Sequence, residues 1–168
     1  MQLADHFTQV FRAEHREIRD TLLDLVEAFQ DRDKARIQEL LHQTAVLAGP
    51  HFRYEEESLY PSLVTIFGEE YIEKLLGDHD RAIGTAQRLV GLAEKDSLTD
   101  DEVREAVRLV RSILPHVSDC DGLSIMVERI PDQDVQAIFT AREHAVSAGL
   151  NLLRWASEIR RRPIVLPA

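Results

Sequence analysis

Cysteine is nearly missing from this chain, with Cys120 alone among 168 residues. One thiol excludes an intrachain disulfide framework and fits a reducing compartment, so a cytoplasmic location is expected. No apolar run approaches the length of a membrane span, and the opening MQLADHFTQV lacks the long apolar core of a secretory signal. Basic clusters are scarce as well. The formal net charge of −10 argues against a nucleic-acid backbone or an anionic membrane as partner. The run Arg160-Arg161-Arg162 closes the last expected helix, where cations suit the helix dipole. Glycine is sparse. A nucleophile elbow and a Walker loop are both missing, which weighs against a hydrolase.

What is present is helical periodicity. Apolar residues recur at steps of three and four rather than alternating, which predicts an all-α chain. Helix stripes read Phe7, Phe11, His15, Ile18, Leu22, Leu25, Phe29, then Ile37, Leu41, Thr44, Leu47 or Ala48, His51, Glu55. They continue with Ile72, Leu76, His79, Ile83, Ala86, Val90, and with Val103, Ala106, Val110, Ile113, His116, Cys120. Gly49-Pro50 is expected to kink the second helix just before His51. Thr99 to Glu102 form a capping box that starts the fourth helix. The expected fold is an up-down-up-down four-helix bundle over about 3–125, with one additional C-terminal helix over about 131–161 and a short tail at 162–168, all in a single domain. That last helix would cover the open end of the bundle or form a homodimer contact.

Each of the four stripes is interrupted by a histidine. Glu14-His15 is followed 36 residues later by Pro50-His51, and Asp78-His79 is followed 37 residues later by Pro115-His116. The pattern reads as a duplicated helical hairpin with one histidine per helix. Counting outward from the turns at about 1.5 Å per residue puts the four histidines and Glu55 in about two adjacent layers. A carboxylate between two imidazole clusters is what two neighbouring cations need as a bridge. His116 and Asp121 have the spacing HxxxxD, with Asp119 and Cys120 as nearby alternatives. Tyr54 could reach the site, with core packing as its other role. The metal-ligand candidates are therefore His15, His51, Glu55, His79, His116 and Asp121. His6, His42 and His144 read as structural or solvent-facing. A ferritin-like site would need a glutamate three residues before a histidine, which none of the four has, and a mononuclear zinc would leave two of the six groups without a metal.

These residues resemble the hemerythrin-like, or HHE cation-binding, family. Its pattern of H, HxxxE, HxxxH and HxxxxD or HxxxxE is matched by His15, His51 with Glu55, His79, and His116 with Asp121, over about residues 5–125. The first histidine of HxxxH would fall at position 75, which is Leu75. The resemblance implies two iron ions in a non-heme centre with an oxo or hydroxo bridge. With Leu75, one iron loses a nitrogen ligand or takes Tyr54, Glu56, Asp119, Cys120 or water instead. The expected function is to bind or react with a small oxidant (H2O2, O2 or NO), as a poor reversible O2 carrier with catalase- or peroxidase-like activity. The alternative is an iron- or oxygen-responsive sensor without turnover, since metal binding can become folding energy.

Overall fold

The computed structural model describes residues 2–162. Among these there are helices and no strands. Helix α1 spans Leu3–Gln30 and α2 spans Lys34–Tyr54. A π-helical turn, Glu55–Leu59, joins α2 to α3, Tyr60–Phe67. Gly68, at φ 83°, turns the chain into α4, Glu69–Ala93. Helix α5, Asp100–Asp121, starts at the expected capping box, with Thr99 accepting from the Glu102 amide. A 3-10 stretch, Gly122–Arg129, follows.

Helix α1 packs on α2, α2 on α4, α4 on α5, and α5 back on α1, which closes the four-helix bundle. The apolar stripes supply its interior. One core cluster, with Phe7, Phe11, Leu59, Leu63, Leu75 and Cys120, fills one end. A second, with Ile18, Leu22, Leu25, Phe29, Leu89 and Val110, fills the other. The four stripe histidines fall at the joint between these clusters, as their positions between Phe11 and Ile18, or Leu75 and Ile83, dictate.

The second helix is not split at Gly49-Pro50. Helical hydrogen bonding runs on through Pro50, and the α-register breaks at Glu55–Leu59 instead. Pro61 supplies the reason: it has no N–H, and its ring crowds the carbonyl four residues back. A π-turn inserts the extra residue that relieves this. The Tyr60 amide then bonds to the Glu55 carbonyl, five residues earlier.

The single C-terminal helix is corrected to two. Helix α6, Asp132–Ala148, ends at Gly149, whose φ of 65° is left-handed. Helix α7, Leu152–Glu158, starts at Asn151, whose side chain accepts from the Arg154 amide. A stripe drawn straight through Gly149 places Leu152 and Trp155 inside, as they are; it also predicts Ala148 and Ile159 buried, and both are exposed because each stands at the end of its helix. Both helices pack against the bundle, Val135, Ile138 and Phe139 of α6 joining the cluster of Phe7 and Phe11. They straddle α2, with α6 also against α1 and α7 also against α4. Gly49 makes this approach possible, since a Cβ there would meet the Leu150 carbonyl oxygen at 2.4 Å. The expected tail from 163 onward lies outside the described residues, and Arg162 is held by Asp80 and Glu73.

Candidate metal centre

Glu55 occupies the middle of the bundle and is fully buried. Its two oxygens face different groups. Oε1 lies 3.1 Å from His51 Nε2 and 3.8 Å from His15 Nε2, and accepts the Cys120 thiol at 2.8 Å. Oε2 lies 3.1 Å from His79 Nε2 and 3.4 Å from the Tyr60 hydroxyl. His15 and His51 meet Nε2 to Nε2 at 3.2 Å. Two donors on one ion, each about 2.0–2.2 Å from it, stand about 3 Å apart, so these separations suit shared ions. Two groups of donor atoms converge closely enough for a metal: His15, Glu55 and Cys120, and Glu55, His79 and His116. Glu55 belongs to both.

The outer nitrogens explain why the inner ones converge. His15 Nδ1 donates to the Phe11 carbonyl at 2.9 Å. His51 Nδ1 donates to Glu14 at 2.8 Å, and His79 Nδ1 to Glu56 at 2.8 Å. His116 Nδ1 donates to Asp78 at 3.3 Å. An imidazole held at Nδ1 presents Nε2 to a metal in a fixed orientation. The two hairpins follow one rule: the acid preceding the first histidine holds the second, Glu14 with His51 and Asp78 with His116.

Electrostatics divides the same way. Burial lowers His15, with the His51 charge adding to it, to about 4. Burial also opposes protonation of His51, but the charge on Glu55 and the bond to Glu14 outweigh it and raise His51 to about 10. On the other side, burial lowers His116, whereas Glu55 and Glu56 raise His79 against its burial. Burial pushes Glu55 up, yet the His51 charge and bonds from both histidines hold it well below the usual carboxylate range. Each oxygen of Glu55 thus faces one imidazole of raised proton affinity, placed where a cation would do the same work.

A family model for the hemerythrin HHE cation binding domain matches residues 6–123. The chain belongs to this hemerythrin family. No curated protein and no solved structure matches it. The match stops short of α6 and α7.

Against the hemerythrin pattern, five of the six expected residues gather at one point: His15, His51, Glu55, His79 and His116. Asp121 stands at the rim. Its Oδ2 is taken by Arg12, while Oδ1 is buried 3.8 Å from His15 Nδ1 with no hydrogen-bond partner among the described residues. Of the candidates to replace a nitrogen at position 75, Tyr54 donates to Glu14 on the outer side of His51, Glu56 holds His79 from outside, and Asp119 pairs with Lys74 at the surface. Cys120 does face Glu55. The residue that sequence reasoning missed is Tyr60. Its hydroxyl lies 3.1 Å from His79 Nε2 and 3.4 Å from Cys120 Sγ. Burial first, and then nearby negative groups, keep this phenol protonated well above its ordinary value. Leu75 is buried in the same cluster as Tyr60 and Cys120. His6, His42 and His144 are not buried, with His6 stacked on Phe139.

An apolar cavity of about 50 Å3 adjoins the site, lined by His15, His51, His116, Ile18, Leu22 and Ala82 among others. A cleft of about 200 Å3 opens over His15 and Asp121 from the solvent side, flanked by Arg12, Arg16 and Arg19.

Proposed function

We propose that this hemerythrin-family protein holds two iron ions and uses them to bind or react with a small oxidant, H2O2, O2 or NO, with reversible O2 carriage disfavoured. Glu55 carries the reading: one buried carboxylate offers one oxygen to the His15–His51 side and the other to the His79–His116 side. His15 and His51 would hold one ion, His79 and His116 the other, and Glu55 would join them. Mixed imidazole and carboxylate donors suit iron. Iron there would supply a Lewis acid and a redox partner. Asp121 would join these ligands only by swinging in from the outer, Nδ1 side of His15, where Arg12 holds its other oxygen.

The protein's own part is to fix four tautomers and to keep an apolar space beside them. The cavity of about 50 Å3 suits a molecule of two or three heavy atoms. We propose Tyr60 as the group that takes the place of the fifth imidazole, because its oxygen lies beside His79 Nε2 where Leu75 offers nothing. Oxygen donors favour the ferric state, so peroxide breakdown is the better expectation than oxygen storage. A reducing compartment, the cytoplasm, suits the lone buried thiol. In the C-terminal segment, Val146 and Ile159 are the exposed large apolar side chains among the described residues, and a homodimer contact there would rest on them.

The test is metal content with a visible and near-ultraviolet spectrum of the iron-loaded protein. About two irons per chain with oxo-bridged ferric absorption are expected. Saturation by one zinc, with no such absorption after anaerobic iron loading, would sink the diiron assignment.

A further inference from the structure

Two of the four imidazoles are tied to a part of the chain outside the family match. Arg142, on α6, donates from Nε to Glu14 Oε1 at 2.6 Å, and Glu14 Oε2 is the acceptor for His51 Nδ1. The side chain of Arg160, just past α7, is almost wholly buried. Its Nε and Nη2 fork onto Glu56 at 3.0 and 2.8 Å, and Glu56 Oε1 is the acceptor for His79 Nδ1. Arg160 Nη1 also holds Asp80 at 2.7 Å, and its guanidinium lies 5.7 Å from the Trp155 ring. His15 and His116 are instead held from within the bundle, by the Phe11 carbonyl and by Asp78. Each side of Glu55 therefore has one imidazole fixed by the bundle and one fixed by a carboxylate under a C-terminal arginine.

We propose that α6, α7 and the residues after them form a positioning clasp for the centre: Arg142 orients His51 through Glu14, and Arg160 orients His79 through Glu56. A buried ion network is a poor source of stability, because desolvation offsets its Coulomb energy. Geometry is what it supplies: a planar fork locks the carboxylate plane, which locks the imidazole. The guanidinium also draws charge from the carboxylate, so the carboxylate pulls less on the Nδ1 proton. The imidazole then donates less strongly through Nε2, and the lower oxidation state of a bound metal is favoured. Arg142 and Arg160 are positioning residues, since neither touches the proposed ions. The orienting role stands without metal; its effect on iron rests on the diiron reading.

The experiment compares Arg160→Gln, Arg160→Lys and Arg142→Gln with Arg154→Gln, an exposed α7 residue paired with Glu158. Metal-free protein is examined first, by 1H–15N NMR of the imidazole rings. Arg160→Gln should lose the protected Nδ1 proton of His79 and keep that of His51, and Arg142→Gln should do the reverse. Arg154→Gln should change neither. In iron-loaded protein, metal release to a chelator should quicken about tenfold in the two glutamine variants, the low end for outer-layer partners. The midpoint potential should fall in Arg160→Gln and be restored in part by lysine, which keeps the charge without the fork. Unchanged ring protons in folded variants would overturn the proposal, and so would equal loosening of all four histidines. Should Arg160→Gln fail to fold, Arg142→Gln and Arg160→Lys decide it alone: a retained His51 proton in the former overturns it. If no iron binds, the ring protons still decide whether the clasp exists, while the diiron reading falls.

Discussion

Gly49→Ala sets two effects of opposite sign against each other. Helix propensity alone favours alanine inside α2 by about 0.8–1 kcal/mol. Against it, the new Cβ would stand 2.4 Å from the Leu150 oxygen, 2.6 Å from the Asn151 carbonyl carbon and 2.7 Å from the Leu152 nitrogen. All three are backbone atoms, so no rotamer change relieves the clash. Ordinary contact starts at 3.4 Å, so the turn must retreat by about 1 Å. Asn151 caps α7, and Leu152 and Trp155 are its buried residues, packed with Ala48, Phe52 and Ile83. Overpacking costs about 1–3 kcal/mol, and loosening Trp155 adds to it. A net loss of about 1–2 kcal/mol is expected, which lowers Tm by about 3–6 °C for a chain of this size. Thermal melts of metal-free protein by circular dichroism would measure it. Hydrogen exchange should quicken at the α7 amides and stay unchanged in α5. A variant more stable by about 1 kcal/mol would show that propensity alone acts at position 49 and that the turn does not rest on α2.

Three further outcomes are expected. Glu55→Ala should lose at least one metal equivalent, while Glu57→Ala should keep its full metal content, although it removes the partner of the buried Arg53 and so costs about 1–3 kcal/mol of stability; equal metal loss in both would place the wrong helix face inside. Tyr60→Phe should abolish any phenolate-to-iron charge-transfer band in the visible spectrum, and an unchanged band would remove Tyr60 from the ligand set. The metal-free protein should be most stable near pH 6.5, the ordinary histidine value. His15, held down to about 4, contributes stability that is full above 6.5 and lost as pH falls toward 4, whereas His51, raised to about 10, contributes stability that is full below 6.5 and lost as pH rises toward 10. A denaturation midpoint that climbs steadily across this range would contradict the assignment.

The inner histidines were legible because each interrupts an apolar stripe, and a stripe is a local, periodic signal. Glu55 was legible because it lies one turn beyond His51 on the same face. Three things were not. Tyr60 lies five residues after Glu55, which in an α-helix points well away from it; only the π-turn forced by Pro61 brings the phenol round to Glu55 Oε2. The partners of Nδ1 lie on neighbouring helices, so Glu14 beside His15 in sequence serves His51 in space. The role of Gly49 depends on a turn a hundred residues later, which nothing in the residues around it announces. The expectation of one C-terminal helix failed for a smaller reason: Leu152 and Trp155 continue the buried stripe beyond Gly149, so steps of three and four pass over the left-handed break.

The same distinction bears on Leu75. Along the sequence, a leucine where the family pattern has a histidine is a loss of one ligand. In the bundle, on the proposed reading, the donor capacity would have moved rather than vanished. Tyr60 and Cys120 both lie against Glu55, in the core cluster that contains Leu75. Replacing a neutral imidazole by a phenol and a thiol, each able to lose its proton to solvent on binding a cation, would exchange a donor tolerant of the ferrous state for donors that favour the ferric one. Burial and the charge on Glu55 hold both groups protonated in the metal-free protein, so any anionic ligation by them must be driven by the metal itself. On the diiron reading, the centre is therefore asymmetric: two imidazoles with a sulfur donor at hand on one side, two imidazoles and an oxygen donor on the other. An asymmetric pair with anionic donors is poorly suited to holding O2 unchanged and better suited to cycling against peroxide, so Glu55 carries the proposal of a paired centre while position 75 sets which chemistry is expected of it.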